Sequence, residues 1–351
     1  SRRERRPGGS TEPSRLSVGD RLVPLMAYYV GVDLGATNVR AVVGDETASV
    51  LGADTRETPR GPTGIAVTEA VLEVVRTACR VAGIEPHAVV AAGIGSIGPL
   101  DLAAGVVDGP ANLPDSVERI PLVGPVSQLL ETEDVYLHND TNAGVIGERF
   151  HAERNPDDMV YLTISSGIGA GVAVDGEVLS GWDGNAGEVG HMTIDPSGFM
   201  TCGCGLDGHW EAYCSGNNIP TYARALHAED PVETSLPIDD PAFTAADVFA
   251  AADTDAFADH VVTQLAHWNA MGIASVIHAY APLVVSVGGA VALNNPARVL
   301  DPVREKLADM VFINVPEIRL TELGDEVVVE GALASALTRG TGDRTRVDSP
   351  P

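Results

Sequence analysis

Lysine is almost missing from this chain. Lys306 is the only one in 351 residues, and arginine carries the rest of the positive charge. A phosphate cradle of the GxxxxGK[ST] kind needs its lysine beside the glycines, and no such motif occurs. Positive charge is scarce altogether: 22 Lys and Arg stand against 49 Asp and Glu, a net charge of −27. A nucleic-acid binder carries a basic patch, and this chain has no surplus to build one, so no nucleic-acid partner is expected. Cysteine is scarce too. Four in a chain of this length do not make a disulfide scaffold, which points to a reducing compartment, the cytoplasm. No run of eighteen apolar residues occurs, so no membrane span or membrane partner is expected.

Acidity combined with lysine depletion suits a saline cytoplasm, such as that of a halophilic archaeon. Carboxylates hold water and cations well. At about 1 M salt the Debye length shrinks to roughly 3 Å, which screens the self-repulsion. The stretch 1–26 is basic and lacks an apolar core followed by a small-residue cleavage site. It reads as a disordered leader, and residues 1–25 would lie upstream of a true start at Met26.

Regular patterning begins at "YYVGVDLGATNVRAVVGD": apolar run, glycine turn, apolar run, with a third strand near Val50. Val67, Val71, Val74, Val75 and Ala78 recur at helical spacing, with Gly83 as the stop. "AVVAAGIG" reads as a buried strand, the following Gly- and Pro-rich stretch as loop, and "VYLHND" as a strand ending in polar residues. The cycle then repeats with "VYLTISSGIGAGVAVDGEV". A helix near Trp210, a long helix over 255–281, the strand "LVVSVGGAV", helical "PARVLDPVREKLADM", the strand "EIRLTEL" and the helix "EGALASALTRG" complete the chain. The class is α/β, with one unit used twice in two lobes and both glycine turns facing the cleft between them.

Those turns suit phosphate. In "DLGATN", Gly35 lets backbone N–H groups approach an anion, Thr37 and Asn38 add donors, and Asp33 is suited to a Mg²⁺ that bridges phosphates. "SSGIGAG", with Ser166, Gly167 and Gly169, has the same character. Gly288 and Gly289, just after a strand, suit a close pass by a nucleobase or ribose.

Together "VGVDLGATNVRAVVGD", "HNDTNA", "SSGIGAGVAVDGEV", "GNAGEVGH" and "CGCGLDGHWEAYCSG" resemble the ROK family of sugar kinases and repressors. The resemblance spans Tyr28 to Leu337. It implies the two-lobed actin/hexokinase/Hsp70-like fold, built of ribonuclease H-like repeats. The small lobe would be 27–137 plus 327–340 and the large lobe 138–326, with a zinc-binding loop at 191–209 and a flexible tail at 341–351. It also implies an ATP-dependent hexokinase, glucokinase foremost, acting as a homo-oligomer, a dimer by resemblance. Kinases for fructose or N-acetylmannosamine, and another phosphoryl donor, remain open. So does a sugar-responsive regulator, although fewer than thirty residues precede the first strand, too few for a DNA-binding domain.

By the same resemblance Asp140 is the catalytic base, and Asn112, Asn139, Glu188, His191 and Glu211 bind the sugar hydroxyls together with Asp140. His191, Cys202, Cys204 and His209, spaced 11, 2 and 5 residues apart, suit a structural Zn²⁺. The family pattern has cysteine where this chain has His209; Cys214 is the alternative fourth ligand. A disulfide between Cys202 and Cys204 would be cramped, and a redox pair would more usually read CxxC.

Overall fold

The computed structural model describes residues 27–110 and 112–347. The leader expected at 1–26 lies outside them. β1 (Tyr28–Leu34), β2 (Asn38–Gly44) and β3 (Val50–Glu57) form an antiparallel meander. Val30, Val32 and Leu34 alternate along β1 and are fully buried. In α1 (Gly64–Ala82) the predicted apolar stripe is the buried face. Gly83, at φ 74°, ends it with an N–H bond to Arg80 O. β4 (Val89–Ser96) returns parallel to β1. The stretch expected to be loop contains β5 (Leu100–Asp101) and β6 (Val106–Asp108), which form a small sheet with β7 (Arg119–Pro121) beyond it. Strands of two or three residues are too short to show an alternation. After α2 (Val123–Leu130), β8 (Val135–Asn139) runs parallel to β4.

α3 (Asp140–His151) leads into β9 (Met159–Ile164), β10 (Ile168–Val174) and β11 (Glu177–Val178). Beyond the Cys-rich segment come α4 (Glu211–Cys214), α5 (Ile219–Glu229), α6 (Ala245–Ala251) and α7 (Ala256–Tyr280). β12 (Val284–Gly288) is followed by α8 (Ala290–Asn294), α9 (Pro296–Val299) and α10 (Asp301–Met310). β13 (Glu317–Leu320) and α11 (Val327–Thr338) close the fold. The helix expected over 296–310 is two pieces because Pro302 offers no N–H and its ring crowds the preceding turn.

The two large sheets share one strand order: β3-β2-β1-β4-β8 and β11-β10-β9-β12-β13. Each is an antiparallel meander extended by two parallel strands. The repeat seen in the sequence is a repeat of topology. β8 runs two residues past the lobe boundary expected at 137.

α11 packs on β1 and β4, α3 packs on β9 and β10, and the two helices pack on each other. They meet backbone to backbone: a Cβ on Gly331 would overlap the Ala143 carbonyl. Fully buried Arg149 of α3 donates to Pro156 O, Gly176 O and Thr341 O and pairs with Asp157 at 2.7 Å. Residues 341–347, read from the sequence as part of a tail, are thereby held against this junction. Thr341 is buried, and Asn155 Nδ2 donates to Gly342 O. No helix among the described residues is long and apolar enough to cross a membrane.

Candidate active site and adjoining metal cluster

Strand register gathers the site. Leu34 pairs with Ser96 and Ser96 with Asn139, so the first glycine turn and the start of α3 lie at one edge of the first sheet. From the other side, β10 is pressed onto the first turn of α3; a Cβ on Gly169 would lie 3.2 Å from Thr141 Cγ2. Both turns therefore flank Asp140.

Asn139 is the cap of α3. Its Oδ1 accepts the Asn142 N–H at 2.7 Å and faces Thr141 Oγ1 at 3.3 Å. Asn139 has the extended backbone that a cap requires, so the helix begins at Asp140. Asp140 accepts the Thr141 N–H at 2.8 Å and has no other hydrogen bond among the described residues, so one carboxylate oxygen is left for a ligand. Burial lifts its carboxyl above the ordinary range; the Thr141 N–H opposes this and Glu188 adds to it.

Asp33 closes β1. Its carboxyl is pushed up to about 7, mostly by burial, with Arg40 opposing and Asp140 and Glu326 adding. Arg40 is bound to Glu326 at 2.9 Å. In the turn itself Gly35 N donates to Asn38 O at 2.9 Å. Thr58, which sequence reasoning missed, holds it from β3's side: Oγ1 donates to Gly35 O at 2.7 Å and N to Thr37 O at 2.8 Å. No motif contains Thr58, so only the fold reveals it. Thr37 is exposed.

In the second turn Ser165 N donates to Gly167 O at 2.9 Å, and Ser166 is exposed. Gly288 is buried against Tyr161, and Gly289, at φ 86°, passes Ile164 O closely. Close packing accounts for Gly288 and Gly289 without a ligand. Asn112 is exposed on a turn and has no hydrogen bond among the described residues.

The metal cluster adjoins the site. A hairpin over 201–207 bends at Gly205, so that Cys202 and Cys204 reach one side. The ligand atoms of His191, Cys202, Cys204 and His209 all lie within 4.8 Å of one another. Cys202 Sγ is 3.6 Å from His191 Nδ1, and Cys204 Sγ is 3.3 Å from His209 Nδ1. A tetrahedral zinc with N and S ligands has edges of about 3.3–3.8 Å; these two pairs match that range, and the donor set is one that zinc takes. Cys214 stands apart, buried, with its thiol donating to Leu265 O at 3.6 Å. His209, and not Cys214, stands with His191, Cys202 and Cys204.

His191 faces two ways. Its Nδ1 points to the cluster, and its Nε2 lies 3.8 Å from Glu188 Oε2. The carboxylate of Glu188 is 56% exposed. Desolvation raises it, His191 lowers it and Glu211 raises it. Trp210 anchors the far side of the loop, fully buried and donating to Asn269 on α7 at 2.9 Å. Glu211 follows directly, and its Oε2 accepts the Ile168 N–H of the second turn at 2.8 Å.

The model of the ROK family matches residues 29–339. The glucokinase of Pyrobaculum calidifontis is 37% identical over 319 residues, 89% of this chain and 95% of that protein. The ROK hexokinase structure from Thermus thermophilus superposes with a TM-score of 0.75 at 33% identity, covering 88% and 97% of the two chains. A ROK glucokinase from Streptomyces griseus, solved with glucose and AMPPNP, gives 0.68 at 29% identity, covering 88% and 99%.

Proposed function

The chain belongs to the ROK family, and from that premise we propose that it is an ATP-dependent glucokinase. The observation that carries this reading is Asp140. It stands between two glycine turns with one carboxylate oxygen open, at the end of β8 where a sugar hydroxyl can meet a phosphoryl group. Asp140 would take the proton of the 6-hydroxyl as it attacks, and its raised carboxyl brings it closer to working pH. Asn139 spends its oxygen on the cap and keeps its amide N–H groups for the sugar. Glu188, His191 and Glu211 supply further partners for a ring of hydroxyls, and Asn112 completes that set by resemblance.

The turns at 33–38 and 165–169 would wrap the phosphates with backbone N–H groups, and Gly288 and Gly289 would border the nucleoside. Asp33 is suited to Mg²⁺: it is a hard oxygen ligand crowded by Asp140 and Glu326. Bound there, the cation would neutralise charge on the phosphates. The Cys₂His₂ cluster would hold a structural zinc that fixes the loop carrying Glu211. The acidity suits a saline cytoplasm, and the assembly expected by resemblance is a dimer.

The test is a coupled kinase assay across glucose, fructose, mannose and N-acetylmannosamine, with several phosphoryl donors, in molar KCl. Glucose with ATP should give the highest kcat/KM. Asp140→Asn should keep the fold and lower kcat about 10²–10⁴-fold. Preference for another hexose overturns the glucose assignment, and a fully active Asp140→Asn overturns the base.

A further inference from the structure

The second turn has one bond of its own, Ser165 N to Gly167 O, and is otherwise held from a distant segment. Three bonds fasten residues 165–168 to the segment that follows the metal cluster. Glu211 Oε2 accepts the Ile168 N–H at 2.8 Å, Gly216 N donates to Ser165 O at 2.7 Å, and Asn217 N donates to Ser166 O at 3.4 Å. The fit around the carboxylate is tight: a Cβ on Gly167 would come within 2.7 Å of the same Glu211 oxygen. Glu211 is also two residues from His209, and Trp210 between them is locked into α7.

We propose that Glu211 is a positioning residue for the phosphoryl donor. One oxygen shapes the turn that receives the nucleotide phosphates, while the other faces the sugar. This rests on the kinase reading and goes beyond it: a residue expected to grip only the acceptor also sets the donor site, even when no sugar is present. The physical reason is the backbone amide. Every N–H that the turn aims at a phosphate depends on the peptide planes around Gly167, and Ile168 fixes the last of them. A carboxylate–amide bond is charge-assisted and short enough to hold that plane against the pull of an anion.

The experiment separates the two roles by leaving the sugar out. AMPPNP with Mg²⁺ is titrated calorimetrically into wild type, Glu211→Gln, Glu211→Asp and Glu211→Ala, without sugar, and glucose is titrated separately. Thermal melts and zinc content check each variant. The Gln carbonyl can still accept the Ile168 N–H, so AMPPNP affinity should stay within about twofold of wild type, while glucose binding weakens. Asp is one methylene too short to reach Ile168, and Ala has no acceptor, so both should lose about tenfold in AMPPNP affinity. Equal AMPPNP affinity in all four proteins would overturn the inference and leave the kinase reading standing. Wild type that binds no AMPPNP would overturn both.

Discussion

The turns at 33–38 and 165–168 occupy equivalent places in two sheets of identical strand order, yet they are held by different means. The first is held from within and from the end of the neighbouring β3. Gly35 bonds Asn38, and Thr58, just past β3, bonds Gly35 and Thr37. An acid at its base, Asp33, is left with an elevated carboxyl. The second is held from outside by Glu211, Gly216 and Asn217, which follow the Cys/His cluster. Its acid is already committed to a backbone amide. The two copies of one topology thus differ: one keeps a buried acid, Asp33, at its base, and the other is tied to the loop that carries the Cys/His cluster.

The comparison breaks most visibly if the cluster is dismantled. Protein purified without added zinc should contain about one zinc per chain by metal analysis. Cys204 is exposed, so Cys204→Ala removes a ligand without opening a core cavity. The variant, or the chelated wild type, should lose zinc, melt several degrees lower and bind AMPPNP about tenfold more weakly. No residue of either turn has changed, so that loss would report the tie between cluster and second turn. Metal-free wild-type protein with full nucleotide affinity would erase the difference between the two turns.

Much of this was legible in the residues. Each glycine turn carries its polar residues in one short quoted stretch, and the repeat followed from strand, turn and strand recurring in order. The Cys/His ligands stood within one segment, and the fold brought them together. What could not be read has a common character. Thr58 sits 23 residues from Gly35 and Glu211 sits 43 from Ile168, and neither partnership leaves a periodicity or a motif. Both are side chains bonding to backbone, where the partner's identity carries no signal. The cap of α3 could not be read either, because Asn139 and Asp140 are both good caps and only backbone geometry separates them. The glycines told a mixed story. Gly35, Gly167 and Gly169 line the turns, whereas Gly288 and Gly289 are needed for close packing whether or not a nucleotide passes them.

A smaller effect follows from Asp33. Its carboxyl sits at about 7 in the folded chain, above the ordinary value near 4, so folding favours the protonated form. Its contribution to stability is fully present below the unfolded pKa and is lost as pH rises through about 7. Asp33→Asn should therefore melt higher than wild type at pH 8, with the gap shrinking toward pH 5. The same variant should lose the Mg²⁺ dependence of AMPPNP binding. A gap between Asp33→Asn and wild type that stays constant from pH 5 to pH 8 would mean that burial does not lift the Asp33 carboxyl in this way.

The smallest effect probes the first turn's self-sufficiency. Thr58→Val keeps the shape of a buried side chain but leaves Gly35 O without its 2.7 Å donor. The backbone bond from Thr58 N to Thr37 O survives, so the turn should loosen without unfolding. A lost neutral hydrogen bond of this kind costs about 1 kcal/mol, or roughly 2–4 °C in a domain of this size. AMPPNP affinity should fall about two- to threefold, and zinc content should not change. The asymmetry is the point: loosening the second turn through the cluster should weaken nucleotide binding several times more than loosening the first through Thr58. An equal or larger loss in Thr58→Val would place the phosphates chiefly on the first turn. Glu211's hold on the second would then be a structural tie with little bearing on the donor.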